Sequence, residues 1–145
     1  MEIEDDILVR VFNEDIKNGT FEIPSGVRNI KGYAFYWCWS NLTSITISNS
    51  VKNIGTDAFY GCSGLEAITI PDGVISIGDF AFCECYSLTN ITIPNSVRSI
   101  GSYAFSLCEE LKSVSIPNNL LNIGPEAFAS CDFLEEIEIR DSIGI

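Results

Sequence analysis

The apolar positions of this chain recur at a fixed spacing. From Ile23 onward one register holds Val27, Val51, Val74, Val97 and Leu120, and Ile143 falls on it again. Three residues further on stand Ile30, Ile54, Ile77, Ile100 and Ile123, followed by Ala34-Phe35, Ala58-Phe59, Ala81-Phe82, Ala104-Phe105 and Ala127-Phe128. A cysteine follows in each unit (Cys38, Cys62, Cys85, Cys108, Cys131), then a leucine (Leu42, Leu65, Leu88, Leu111, Leu134). Each unit closes on an Ile/Val-x-Ile such as Ile68-x-Ile70 or Ile91-x-Ile93. The period is about 23 residues, with one extra residue between Cys38 and Leu42. Self-similarity at this length marks a stacked repeat, in which a unit buries its apolar face only against its neighbours.

Two shorter periods alternate inside each unit. Ile45 and Ile47, with their counterparts, are two apart, the spacing of a strand with one buried face. Ile77, Ala81 and Cys85 are four apart with Phe82 beside them, which predicts a short helix with one apolar stripe. Each unit therefore reads as strand, turn and short helix, giving an α/β solenoid of about five coils with one parallel sheet. Pro24, Pro71, Pro94 and Pro117 follow the strand and, lacking an N–H, end the inter-coil ladder. Gly55, Gly78, Gly101 and Gly124 stand where the chain enters the helix, a place that asks for freedom in φ, with Lys31 replacing glycine in the first unit.

Residues 1–22 lie outside this pattern. Asp6 to Phe12 reads as a strand, Asn13 to Asn18 as a polar turn and Gly19 to Ile23 as a second extended piece, together an N-terminal cap for the open first coil. Residues 23–145 form the solenoid. Its last strand carries Glu135, Glu136 and Glu138 where earlier strands carry Ser, Thr and Asn, and such charges blunt an exposed sheet edge. It reads as a true C-terminal edge, with a missing continuation as the alternative, since Ile143 starts a sixth unit.

The string Leu-x-x-Ile-x-Ile-Pro-x-x-Val-x-x-Ile-Gly-x-x-Ala-Phe-x-x-Cys, spread over residues 23–143, resembles the BspA-type, or Treponema-type, leucine-rich repeat. The resemblance implies a right-handed superhelix with a parallel sheet on one side and helices on the other. It also implies an extracellular or surface protein that binds host matrix proteins or other cells.

Charge and composition narrow the function. Net charge is −12, with 8 Lys and Arg against 20 Asp and Glu. That balance opposes direct nucleic-acid binding, which is driven by bases at phosphates, and favours encounter with a basic protein surface. No run of apolar residues is long enough to insert in a membrane. Met1 to Asp6 is acidic where a secretion signal would be basic, so the chain as written is expected in the cytoplasm, or outside the cell if a signal has been removed.

Chemistry is sparse. There is no histidine, which removes Ser-His-Asp and Cys-His mechanisms. The five ladder cysteines read as small buried residues. With helices about 8–10 Å apart they would be too distant for disulfides. Cys83, off the ladder, is the thiol expected to react. No cofactor, metal site or enzyme activity is expected.

What remains is surface. Thr46, Thr69 and Thr92 face outward on the sheet in a small polar strip that turns acidic at Glu136 and Glu138. Tyr33, Tyr36, Trp37 and Trp39 crowd the first unit, and Tyr86 extends them; exposed aromatics are favoured interface anchors. Trp37 and Trp39 also fit a second role, closing the core beneath the cap. Tyr33, Phe80 and Tyr103 share one repeat position and should line up. Tyr33, Tyr36, Trp37, Trp39, Tyr86, the three strip threonines and Glu135, Glu136 and Glu138 are the candidate partner-binding set of a non-catalytic protein-interaction module. Two alternatives stand beside it: an acidic intracellular inhibitor filling a basic, nucleic-acid-binding groove of a target, and a fragment of a surface adhesin. Homo-oligomerisation is left open.

Overall fold

The computed structural model describes residues 1–141. Strands β1 (Glu2–Glu4) and β2 (Ile7–Arg10) form an antiparallel hairpin, and β3 (Thr20–Glu22) completes the first coil. Each later coil contributes one two-residue strand and one longer strand. These are β4 (Asn29–Ile30) and β5 (Ser44–Thr46), β6 (Asn53–Ile54) and β7 (Ala67–Thr69), then β8 (Ser76–Ile77) and β9 (Asn90–Thr92). They continue as β10 (Ser99–Ile100) and β11 (Ser113–Pro117), then β12 (Asn122–Ile123) and β13 (Glu136–Arg140).

The solenoid has two strand-built walls rather than the single sheet expected. One is seven-stranded in the order β1-β2-β4-β6-β8-β10-β12, parallel from β2 onward. The other is β3-β5-β7 followed by β9-β11-β13, all parallel, with the hydrogen-bond ladder interrupted between β7 and β9. Register is like on like: Ile30, Ile54, Ile77, Ile100 and Ile123 pair in succession on the first wall. Ile45 pairs with Ile68, and Ile91 with Val114 and Ile137, on the second. A slip of one residue would turn every isoleucine outward, so the apolar alternation alone fixes this register.

The third side corrects the sequence reading. The segment from Gly78 to Cys85 is an arch of turns, not a helix. Its amides alternate in destination. The N–H groups of Phe80, Phe82 and Glu84 donate to the next coil, to the carbonyls of Ser102 (2.9 Å), Ala104 (2.7 Å) and Ser106 (3.0 Å). Those of Ala81, Cys83 and Cys85 donate three residues back, to Gly78 (3.3 Å), Phe80 (3.1 Å) and Phe82 (3.3 Å). The reason is spacing. The core phenyl rings of Phe35, Phe59, Phe82, Phe105 and Phe128 stack face to face with centroids 4.6–5.3 Å apart. An α-helix is about 10–12 Å across with its side chains, so coils repeating near 5 Å leave no room for one. The helical segments among the described residues are two 3-10 turns, Asn13–Asp15 and Tyr36–Cys38.

The glycines have a different role from the one expected. Gly55, Gly78, Gly101 and Gly124 are absent from the positive-φ residues; that conformation falls two positions later, on Asp57, Phe80, Tyr103 and Glu126, and on Tyr33 in the first unit. Left-handed backbone costs a non-glycine residue about 1–2 kcal/mol, here offset by the arch hydrogen bonds on either side. What the glycine supplies is contact. A Cβ on Gly78 would lie 2.6 Å from the Thr56 nitrogen and 2.8 Å from the Gly55 carbonyl carbon of the preceding coil.

The core is one continuous stack. Ala34 and Phe35 and their counterparts through Phe105 are buried, with Leu42, Leu65, Leu88 and Leu111 beneath them. Leu8, Val11 and Phe21 close its N-terminal end. At the other end Ile123, Ile137 and Ile139 occupy core registers but are exposed on the last described coil. Ile143 lies outside the described residues.

All six cysteines are free. The distance argument against disulfides does not hold at a coil spacing near 5 Å. In-register side chains instead keep their Cβ atoms about one coil apart, wider than the ~3.8 Å that a bridge needs. Each ladder thiol is spoken for: Cys85 donates to the Phe59 carbonyl (3.3 Å), Cys108 to Phe82 (3.2 Å) and Cys131 to Phe105 (3.1 Å). Cys83 is not the reactive thiol expected. It is 4% exposed, and burial, with the charge of Glu84 beside it, pushes its pKa up to about 11.

Candidate partner-binding surfaces

The wall that carries the longer strands bears an open groove of about 990 Å³ over β5, β7 and β9. Alternation along each strand buries the isoleucines and turns small polar side chains outward. Because the coils are in register, those side chains form a row. Thr46 lies between Glu22 and Thr69, and on the far side of the ladder interruption Thr92, Ser115 and Glu138 continue it. The row is thus threonine and serine with a carboxylate at each end, and within the groove Ser44, Ala67 and Asn90 run beside it, with Glu66 and Asp72 also in the lining. Thr46, Thr69 and Thr92, selected from sequence, all line the groove and are exposed.

Arg140 was missed and forms part of the same wall. Its guanidinium reaches back from β13 and donates to Ser115 Oγ, to the Ile93 carbonyl and to Asn95 Oδ1 (3.2 Å). The sequence signal was present, since Arg140 is the one base in a strand otherwise built of Glu and Ile. Glu135, Glu136 and Glu138 are exposed at this end, Glu136 and Glu138 on β13 itself.

The aromatic candidates lie on the arch side, away from the groove. Tyr33 and Trp39 are 54% and 50% exposed, and Tyr36 meets both edge-on, at 5.7 and 5.8 Å between centroids. Trp39 therefore faces solvent rather than sealing the cap. The Trp37 side chain lies outside what the structure describes. Phe80 and Tyr103 stack at 5.0 Å with rings 1° from parallel, as their shared register predicts. The Tyr60 hydroxyl donates to Glu84 Oε1 at 2.8 Å, and that bond pushes the phenol up to about 12. Tyr86 is raised as well, by burial first and then by the charge and hydrogen bond of Glu84. The neighbouring Asp57 carboxylate raises Tyr33 in the same way, by its charge and by the hydrogen bond it accepts. Asp57 is itself raised by burial, against the lowering effect of Tyr33. Asp57 and Glu84 were missed because Tyr33 and Tyr60, the phenols they hold, stand a full repeat away in sequence.

The chain matches the model of the BspA type leucine rich repeat region in six copies, over residues 5–40 and 28–145. The chain belongs to the BspA-type leucine-rich repeat family. Among solved structures, a leucine-rich repeat protein of Bacteroides ovatus is 39% identical, with TM-score 0.77 over 82% of this chain and 33% of its own. One from T. pallidum is 35% identical, with TM-score 0.84 over 90% and 62% of the two chains. A leucine rich cell surface protein of Faecalibacterium prausnitzii is 34% identical, with TM-score 0.85 over 92% and 35%. This leucine-rich repeat chain thus spans between one third and two thirds of the length of these relatives. No curated protein matches it. As a BspA-type chain it is a repeat scaffold, and no helix among its described residues is long and apolar enough to cross a membrane.

Proposed function

We propose that this leucine-rich repeat chain is a non-catalytic protein-interaction module, a rigid scaffold that presents the groove on its longer-strand wall to a protein partner. The observation that carries the reading is the in-register row of small polar side chains, open along several coils and backed by a fully buried core. A row of Thr and Ser lets a partner's backbone or side chains approach closely. The stacked coils keep the row rigid, so little ordering entropy is lost on binding. Display at a cell surface is the setting supported by the F. prausnitzii relative, which is described as a cell surface protein.

The test is a pull-down from the source organism with Thr69→Arg/Thr92→Arg run beside the unaltered chain. Two bulky cations in the groove should abolish capture of any partner seated there, while melting temperature stays unchanged. Capture of the same proteins at the same level by both chains would refute the groove.

A further inference from the structure

We infer that the arch side is a second docking surface, fitted to a Lys- or Arg-bearing segment of a protein partner. The inference shares with the preceding reading only the premise that the chain is an interaction scaffold. It uses none of the groove residues.

The first observation is segregation. The arches comprise residues 32–41, 56–64, 79–87, 102–110 and 125–133. They contain all 5 tyrosines and both of the 2 tryptophans, but none of the 8 Lys and Arg. Acids recur there from the second arch on, including Asp57, Glu84, Glu109 and Asp132. These carboxylates have no cation of their own arch to pair with. The ion pairs found among the described residues, Met1 with Asp15 and Arg28 with Asp6, lie elsewhere.

The second observation is how the rings and carboxylates are held. Tyr33, Tyr36 and Trp39 form a chain of edge contacts at the N-terminal end, with half of Tyr33 and Trp39 open to solvent. In the next two coils Glu84 accepts a hydrogen bond from Tyr60 at 2.8 Å, with the Tyr86 ring two residues along the same arch. A carboxylate offers about four lone-pair directions, so the Tyr60 bond holds its orientation and leaves acceptor capacity for a partner. An indole or phenol face attracts a guanidinium or ammonium through its quadrupole, and a carboxylate beside it adds charge-assisted hydrogen bonds. Rings and acids with no competing internal base are complementary to a cationic segment.

The repeat explains why this surface can exist without cost to the fold. The positions that bear these groups lie beside the buried Ala, Phe and Cys of each arch, and elsewhere in the same registers stand Ser, Gly, Ala and Leu. Side chains of very different size are accommodated there.

The probe is an acetylated, amidated peptide of alternating Gly with Arg and Lys, titrated into ¹⁵N-labelled protein at 50 mM and 300 mM NaCl. The expected result is saturable binding that weakens with salt and shifts the amides of residues 33–39, 57–60 and 84–86. Trp39→Ala and Glu84→Gln should each weaken it about fivefold or more, with Trp39→Phe recovering part of the loss. Thr69→Arg/Thr92→Arg should leave it intact, so failure of the groove and failure of the arches are read separately. Both side chains substituted on the arches project from the core, and unchanged circular dichroism confirms that the variants fold. Absence of saturation, shifts confined to Glu135–Glu138, or full affinity in Trp39→Ala and Glu84→Gln would overturn the inference.

Discussion

Replacing Gly78 by alanine separates two accounts of the arch by the sign of the effect. If the glycine merely led into a helix at ordinary φ, alanine would stabilise by about 0.4–1 kcal/mol through the unfolded chain. In the stacked structure the new Cβ would sit 2.6 Å from the Thr56 nitrogen and 2.8 Å from the Gly55 carbonyl carbon, both backbone. Neither neighbour can rotate away. The coils must separate by several tenths of an ångström, against the inter-coil bond from the Gly78 N–H to the Ile54 carbonyl (2.8 Å). Overpacking costs about 1–3 kcal/mol and a weakened hydrogen bond about 1 more, so a loss of roughly 2–4 kcal/mol is expected. For a chain of this size that lowers the melting temperature by roughly 5–15 °C. Gly61→Ala is the control, since Gly61 has φ +71° with nothing within 4 Å of the added atom, and its cost is limited to the left-handed penalty of about 1–2 kcal/mol. Urea unfolding followed by circular dichroism gives both numbers. A Gly78→Ala protein as stable as its parent would refute the close-contact reasoning.

Other consequences follow from the same geometry. Phe82→Ala removes the middle ring of the stack and should cost about 3–5 kcal/mol in urea unfolding, whereas Phe128→Ala, at a partly buried end position, should cost clearly less. Tyr60 should be the last phenol to ionise in a titration followed at 295 nm, with a midpoint near 12 that Tyr60→Phe deletes. Its folded pKa is raised above the ordinary value of about 10, so the Tyr60–Glu84 contribution is complete below pH 10 and is lost as pH climbs toward 12. Between pH 6 and 9 the contribution is constant, so it should add no pH dependence to stability there. Cys38 and Cys83, both raised to about 11 by burial, should react with a disulfide reagent at pH 8 far more slowly in the folded protein than in urea. Prompt labelling of either would contradict their placement.

Much of the fold was legible because a repeat states its core several times over. Val, Ile, Ala-Phe, Cys and Leu recur in register, and each is buried until the last coil. The helix was misread for a physical reason. Left-handed residues at Phe80 and Glu84 close successive turns four residues apart, and this places Ile77, Ala81 and Cys85 on the inside as a helix would. Periodicity within a coil cannot tell the two apart; the spacing between coils does, and one sequence carries that only indirectly. The recurrent glycine was such a signal, because a missing Cβ in every coil is what close stacking demands. At the surface, Trp39 and Tyr86 were visible as residues that fail to repeat, and Tyr33 as one of an aromatic register shared with Phe80 and Tyr103. The polar strip of Thr46, Thr69 and Thr92 was visible too, since register carries it from coil to coil, but the return of Arg140 onto Ile93 and Asn95 was not, because it spans some 45 residues. The pairing of Tyr60 with Glu84 spans 24 residues and has no local trace.

The central claim is that the arches are laddered coil to coil, and scalar couplings across hydrogen bonds test it most directly. A long-range HNCO experiment on deuterated protein reports which carbonyl each amide donates to. The structure predicts correlations from the Phe59 amide to the Ala81 carbonyl, from Phe82 to Ala104 and from Phe105 to Ala127. A correlation from the Phe82 amide to the Gly78 carbonyl, four residues back in its own coil, would restore the helix and contradict the account.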